Sequence, residues 1–174
     1  MIFIYGDYDA DGITSTTLLT KFFKDIGINV ENYIPNRLTE GYGLNNKAID
    51  KIKEKETKLI ITVDCGITSI KEIEYAKKLG IDVIITDHHE PSEEIPKAIA
   101  IIDAKRKNNK YPFNQLAGCG IAFKLTQAIS IKRKLDPSKY LKNLDIVSIG
   151  TVADIVPLVS DNRKFVKKGL ETLK

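Results

Sequence analysis

Cysteine is scarce in this chain: only Cys65 and Cys119 occur in 174 residues, far apart and with no His or Cys neighbour at zinc-ligand spacing. That excludes a disulfide framework and a zinc site and leaves two reduced thiols. Long apolar runs are missing as well. No segment approaches the roughly 18 residues of a membrane span, and no basic stretch precedes a signal-peptide core. The expectation is a soluble, cytoplasmic protein with no membrane partner. Repeats and low-complexity segments are absent. So is the Gly-x-Gly-x-x-Gly run that would follow the first strand of a nucleotide-cofactor domain.

One-signed charge is also lacking. The 27 Lys and Arg stand against 23 Asp and Glu, a net +4, which suits a nucleic-acid partner without requiring one. Part of the excess lies in short runs, Lys105-Arg106-Lys107 with Lys110, Lys132-Arg133-Lys134, and Arg163-Lys164 with Lys167-Lys168. Such runs are more often solvated faces than contacts. What is abundant is apolar content, 43%, enough for one sizeable core, so one domain is expected.

Apolar runs and helix-spaced apolar residues alternate. Residues 1–5, 28–34, 59–63, 83–85 and 98–102 read as strands; 14–26, 45–55 and 69–79 read as the intervening helices. A polar loop, 105–115, follows, and then helical periodicity over 120–133, 140–149 and 161–174. The pattern predicts an α/β fold, a parallel β-sheet with helices on both faces and a helical C-terminal part. The chain opens on a buried strand and stops inside a helix, so a fragment of a larger protein is expected.

Acids follow the strands directly: Asp7, Asp9 and Asp11 after the first, Asp64 after the third, and Asp87 with His88 and His89 after the fourth. In an open parallel sheet these all fall at the carboxyl edge, where ligands bind. A single Asp after a strand is ordinarily a helix cap. Three carboxylates within five residues repel one another unless solvated or neutralised by a cation. The only two histidines of the chain are adjacent at a strand end rather than on an apolar helix face. Asp154 is an acid in apolar surroundings and needs a partner, which a metal would supply. Oxygen-rich ligation with one or two His favours Mn²⁺ or Mg²⁺ over zinc. Gly12 permits a tight turn before a helix expected to start near Thr14, where Thr14, Ser15 and Thr16 could receive phosphate oxygens.

Gly6-Asp7-Tyr8-Asp9-Ala10-Asp11-Gly12, Val63-Asp64-Cys65-Gly66, Asp87-His88-His89 and residues 150–158 together resemble the successive motifs of the DHH phosphoesterase family. Ile34-Pro35-Asn36-Arg37, Glu40-Gly41-Tyr42-Gly43-Leu44 and the run from Leu116 through Gly118 and Gly120 to Leu125 resemble its RecJ-like exonuclease branch. The resemblance implies two Mn²⁺ or Mg²⁺ ions sharing Asp64, with Asp9 on one and Asp11, His88 and Asp154 on the other. It further implies His89 facing the substrate phosphate and Asp87 orienting an imidazole. Arg37, Gly118 and Gly120 would contact substrate. The implied activity is 5′→3′ hydrolysis of single-stranded DNA by a hydroxide held between the ions, in repair and recombination, with a single-strand-binding protein or a helicase as protein partner.

Two departures stand out. Tyr5 occupies a position where relatives often have a His that helps hold the first ion, and Asp7 is expected to substitute. Residues 1–174 would be the DHH catalytic domain alone, without the DHHA1-type and oligonucleotide-binding domains of such proteins. The alternatives are hydrolysis of oligonucleotides, cyclic dinucleotides or pyrophosphate, a non-catalytic nucleic-acid-binding module, and a Rossmann-like cofactor domain.

Overall fold

The computed structural model describes residues 1–173. Five strands, β1 (Ile2–Tyr5), β2 (Val30–Tyr33), β3 (Leu59–Val63), β4 (Asp82–Thr86) and β5 (Ala100–Ile102), form one parallel sheet in the order β2-β1-β3-β4-β5. Helices α1 (Ala10–Asp25), α2 (Asn46–Glu54) and α3 (Ile70–Lys78) alternate with the strands. They are followed by α4 (Gly118–Lys132), α5 (Ser138–Leu141), α6 (Leu144–Ala153) and α7 (Ser160–Thr172). The predicted α/β architecture is the one observed.

The two-residue period of the strands sorts their side chains between two cores. Ile4, Ile61 and Val63 pack with Leu18, Leu19 and Phe22 of α1 and with Ile121 and Phe123 of α4. Phe3, Tyr5, Ile60 and Ile85 face the other way, onto Ile49 and Ile52 of α2 and Ile73 of α3. Each such fully buried side chain contributes about 1.5–3 kcal/mol of transfer free energy. Helices therefore cover both faces, as a sheet of near-continuous apolar strands requires.

The strand order reverses direction at β1, so the chain after β1 and the chain after β3 diverge from neighbouring strand ends. A crevice opens at such a switch point. Two elements depart from expectation by more than two residues. Helix α1 starts at Ala10, four residues before Thr14, because Asp9 caps it. The single helix expected over 140–149 is two, α5 and α6, since the buried Asn143 turns its amide back to the Lys139 carbonyl at 3.4 Å. The last helix is found at Ser160–Thr172, and Lys174 lies outside the described residues. Among the described residues, no helix is long and apolar enough to cross a membrane. Both thiols are buried and unpaired, and burial pushes both well above the ordinary cysteine range.

Candidate metal centre

The loop after β1 carries Asp7 inward, and Asp9 sits at the N-cap of α1, its Oδ1 accepting from the Gly12 N–H at 2.8 Å. The loop closes tightly here: a Cβ on Gly12 would come within 2.5 Å of the Asp7 carbonyl oxygen, so only glycine fits. Asp11, in the first turn of α1, is 2% exposed and accepts at both oxygens, from Gly118 N–H at 2.6 Å and Cys119 N–H at 2.9 Å. It thereby caps the N-terminus of α4, where the helix dipole favours a negative charge.

Asp64 ends β3 in a left-handed conformation, φ 59°, with its N–H donating to the Thr86 carbonyl of β4 at 3.0 Å. A non-glycine residue held there stores on the order of 1–3 kcal/mol of strain, a cost that functional sites characteristically carry. His88, at the end of β4, places Nε2 3.0 Å from Asp64 Oδ1 and 3.8 Å from Asp11 Oδ2, with Nδ1 3.6 Å from Asp154 Oδ2. Asp154 arrives at the C-cap of α6, and the left-handed Ile155 (φ 58°) ends that helix beside it.

Three sets of ligand atoms lie within 4.8 Å of one another: Asp7, Asp9 and Asp64; Asp11, His88 and Asp154; and Asp64, His88 and His89. Asp64 and His88 each belong to two sets. Asp7 Oδ1, Asp64 Oδ1 and Asp154 Oδ2 are buried with no hydrogen-bond partner, even though His88 is 3.0 Å from Asp64. Buried carboxylate oxygens are rarely left so, and atoms that converge without bonding one another fit a cation between them. The electrostatics agree. Burial, then Asp11 and Asp9, pushes Asp64 up to about 10, and burial raises Asp7 and Asp154. Hard oxygen donors with one imidazole fit Mn²⁺ or Mg²⁺.

His89 is set apart. Its side chain is 45% exposed, and Nδ1 lies 2.8 Å from Asp87 Oδ1. That hydrogen bond outweighs desolvation and raises the imidazole to about 9. Asp87 is buried, which alone would raise it, but hydrogen bonds from His89 and from the Ile67 N–H hold it below the usual carboxylate range.

The remaining expected contacts are spread out. Gly118 borders the carboxylates: a Cβ there would come within 2.8 Å of Asp64 Cβ and 2.9 Å of Asp11 Oδ2. Gly120 is buried against Leu116 and Phe165. Arg37 is exposed, its guanidinium 5.3 Å above the Tyr8 ring. Tyr5 points to the opposite core, its hydroxyl donating to the Gly43 carbonyl at 3.0 Å, so it does not join the ligand sets. Thr14 and Thr16 donate to carbonyls of the preceding turn, and Ser15 is fully buried. None of the three hydroxyls is presented as a phosphate site, because α1 begins earlier than expected.

Two residues at the site escape the sequence reading. Asp103 directly follows β5, the same signal as the other acids, and is buried with Oδ2 unpartnered; burial raises it to about 6. Tyr42, which the sequence offers only as part of a subfamily run with no role attached, reaches His89 Nδ1 at 3.3 Å from a distant loop. A groove of about 270 Å³ runs from His88 past Lys105, Asn114 and Gln115 to Val156. Another cavity, about 310 Å³, lies between β5, the 103–111 loop and α4 and contains none of the clustered ligand groups.

The N-terminal domain of the DHH family matches residues 1–151. The single-stranded-DNA-specific exonuclease RecJ of Bacillus subtilis is 49% identical over 173 residues, 99% of this chain and 21% of that protein. The crystal structure of an exonuclease RecJ bound to manganese superimposes with a TM-score of 0.87 at 38% identity, over 98% of this chain and 43% of that one. RecJ of Thermus thermophilus in complex with Mn²⁺ gives 0.82 at 34% identity, over 98% of this chain and 24% of that one. The chain thus spans about a fifth of the B. subtilis relative.

Proposed function

Because this chain belongs to the DHH family, with residues 1–151 matching its N-terminal domain, we propose that it is the metal-holding catalytic domain of a single-stranded-DNA-specific 5′→3′ exonuclease acting in DNA repair and recombination. The observation that carries this reading is the convergence of Asp7, Asp9, Asp11, Asp64, His88 and Asp154 at the switch point, with three buried carboxylate oxygens unpartnered. Asp7, Asp9 and Asp64 would hold one Mn²⁺ or Mg²⁺; Asp11, His88 and Asp154 would hold a second, with Asp64 shared. When bound, such ions supply an activated water for in-line attack on phosphorus and positive charge opposite the developing oxyanions.

The protein's own groups do the positioning. Asp11, fixed by two backbone donors, keeps its carboxylate in one orientation before any ligand arrives. His89, held at Nδ1 by Asp87 at 2.8 Å, which raises its imidazole, would present an Nε2–H able to donate to a phosphate oxygen or to the departing oxygen. Lys105, which also pairs with Glu90 of the same groove at 3.6 Å, and Asn114 and Gln115 line the way to His88 and would follow the strand's backbone, with Arg37 a further phosphate contact. Gly118 lets the start of α4 pack directly against the carboxylates, since a Cβ there would come within 2.8 Å of Asp64 Cβ, and it would offer substrate only its backbone. A DNA substrate implies a cytoplasmic protein working beside a single-strand-binding protein or a helicase, which expose the strand.

The test is Mn²⁺-dependent nucleotide release from 5′- and 3′-labelled single-stranded DNA by this chain, its Asp64→Ala variant and a C-terminally extended form. Release from the 5′ end that vanishes in the variant is expected. If the extended form binds Mn²⁺ and cleaves dinucleotides but not DNA, the small-substrate activity replaces this reading.

A further inference from the structure

Tyr5 is fully buried and stacked on Tyr33, with ring centroids 5.5 Å apart. Its hydroxyl donates to the Gly43 carbonyl at 3.0 Å and accepts from Asn45 Nδ2 at 3.2 Å, while Asn45 Oδ1 caps α2 through the Ala48 N–H at 2.8 Å. The other end of the same loop is held by Tyr33, whose hydroxyl donates to Glu40 Oε1 at 2.6 Å. Between these anchors the chain turns through Gly41 (φ 76°) and Gly43 (φ 79°), a left-handed pair that projects Tyr42 back over the sheet edge. The Tyr42 ring meets His89 edge to face at 5.8 Å. Its hydroxyl lies 3.3 Å from His89 Nδ1 and 3.5 Å from the Asp64 carbonyl oxygen.

Only one arrangement of protons satisfies these contacts together. Asp87 Oδ1 and the Asp64 carbonyl can only accept, so the Tyr42 hydroxyl donates to Asp64, and its oxygen shares the His89 Nδ1–H that Asp87 receives at 2.8 Å. The Nδ1 proton is thereby held in place, and Nε2 is the nitrogen left to face a ligand.

We propose that Tyr5 and Tyr42 are positioning residues: Tyr5 braces the Gly41–Gly43 turn from the core, and Tyr42 transmits that brace to the His89 ring. Substrate recognition by His89 rests on the exonuclease reading above, but the strut itself does not. It acts on ring orientation through hydrogen bonds of fixed length, in the way that partners of a catalytic imidazole set its tautomer.

The experiment uses imidazole ¹⁵N resonances at one fixed pH in this chain, where His88 and His89 are the only histidines and His89→Gln assigns them. Tyr42→Phe should move the His89 resonances and leave those of His88, and Tyr5→Phe, which keeps the ring and removes only the hydroxyl, should move His89 in the same direction. Mn²⁺ affinity by electron paramagnetic resonance should stay within about twofold in both variants. In the extended protein, kcat on single-stranded DNA should fall about tenfold with KM unchanged, the signature of an interaction that matters beyond substrate binding. His89 resonances unmoved in both variants, or a collapse of Mn²⁺ affinity, would overturn the strut. If the resonances move but no DNA is cleaved by any form, the strut stands and the exonuclease reading falls.

Discussion

The backbone N–H of Gly118 donates to Asp11 Oδ2 at 2.6 Å, joining the first helix to the fourth across 107 residues at the floor of the crevice. One hydrogen bond thus couples the packing of α4 to the orientation of a ligand carboxylate.

Gly118→Ala follows directly from that contact. The added methyl would meet Asp64 Cβ at 2.8 Å and Asp11 Oδ2 at 2.9 Å, in a region with no room to yield. Overpacking of this kind costs about 1–3 kcal/mol. Mn²⁺ affinity measured by calorimetry should fall at least tenfold, with the far-ultraviolet circular dichroism unchanged. Unaltered affinity would mean the carboxylates do not hold the ion as described.

Mn²⁺ should stabilise the protein more at pH 8 than at pH 6. Asp64, raised by burial and by Asp11 and Asp9 to about 10, and Asp7 and Asp154, raised by burial, bind protons more tightly folded than unfolded. Their contribution to stability is therefore full below the unfolded carboxylate value near 4 and is lost as pH rises toward the folded values. A cation takes the place of those protons and restores what was lost. At a ligand concentration a hundredfold above Kd the gain is about 2.7 kcal/mol. Thermal melts with Mn²⁺ and with chelator at both pH values decide it, and equal shifts at the two would contradict the linkage.

Asp87→Asn should bring the His89 titration midpoint down from about 9 toward the ordinary 6.5. The raised value comes first from the Asp87 hydrogen bond, and its stabilising effect is present below the unfolded value and lost as pH rises through the folded one. Histidine proton resonances followed across pH 5–10 report the midpoint. Nuclease activity in the extended protein should then fall more at pH 8 than at pH 6. A midpoint still near 9 would assign the shift to other charges.

Asp161→Asn should destabilise the fold without touching the crevice. Its carboxylate bonds the Tyr111 hydroxyl and pairs with Lys124 at 3.0 Å and Lys164 at 3.3 Å, tying the polar loop to α4 and α7. Burial would raise Asp161, but the bonds from Tyr111 and Lys124 win and hold it at about 2. The stabilisation is present above the unfolded value near 4 and lost as pH falls through the folded one. The variant should lose about 1–3 kcal/mol at pH 7 in urea melts, a gap that closes toward pH 2. A gap that persists in acid would point to packing instead.

Local pattern made much of this protein legible. The short apolar runs alternating with helix-spaced segments determined a parallel sheet covered on both faces. The rule that groups directly after such strands share one edge brings Asp7, Asp64 and His88 together, because strand direction alone places them. The third strand, Leu59–Val63, has the predicted limits because its run is apolar but for Thr62 and is followed directly by Asp64. Tertiary structure decided the rest. Whether Asp11 would be fixed by the N-terminus of α4, and whether Tyr42 would reach His89, depend on contacts across 107 and 47 residues that no window of sequence contains. The same holds for Tyr5. Its residue type leaves open which core it enters, and only the pleat of β1, packed between two layers of helices, turns its hydroxyl away from the carboxylates and toward Gly43.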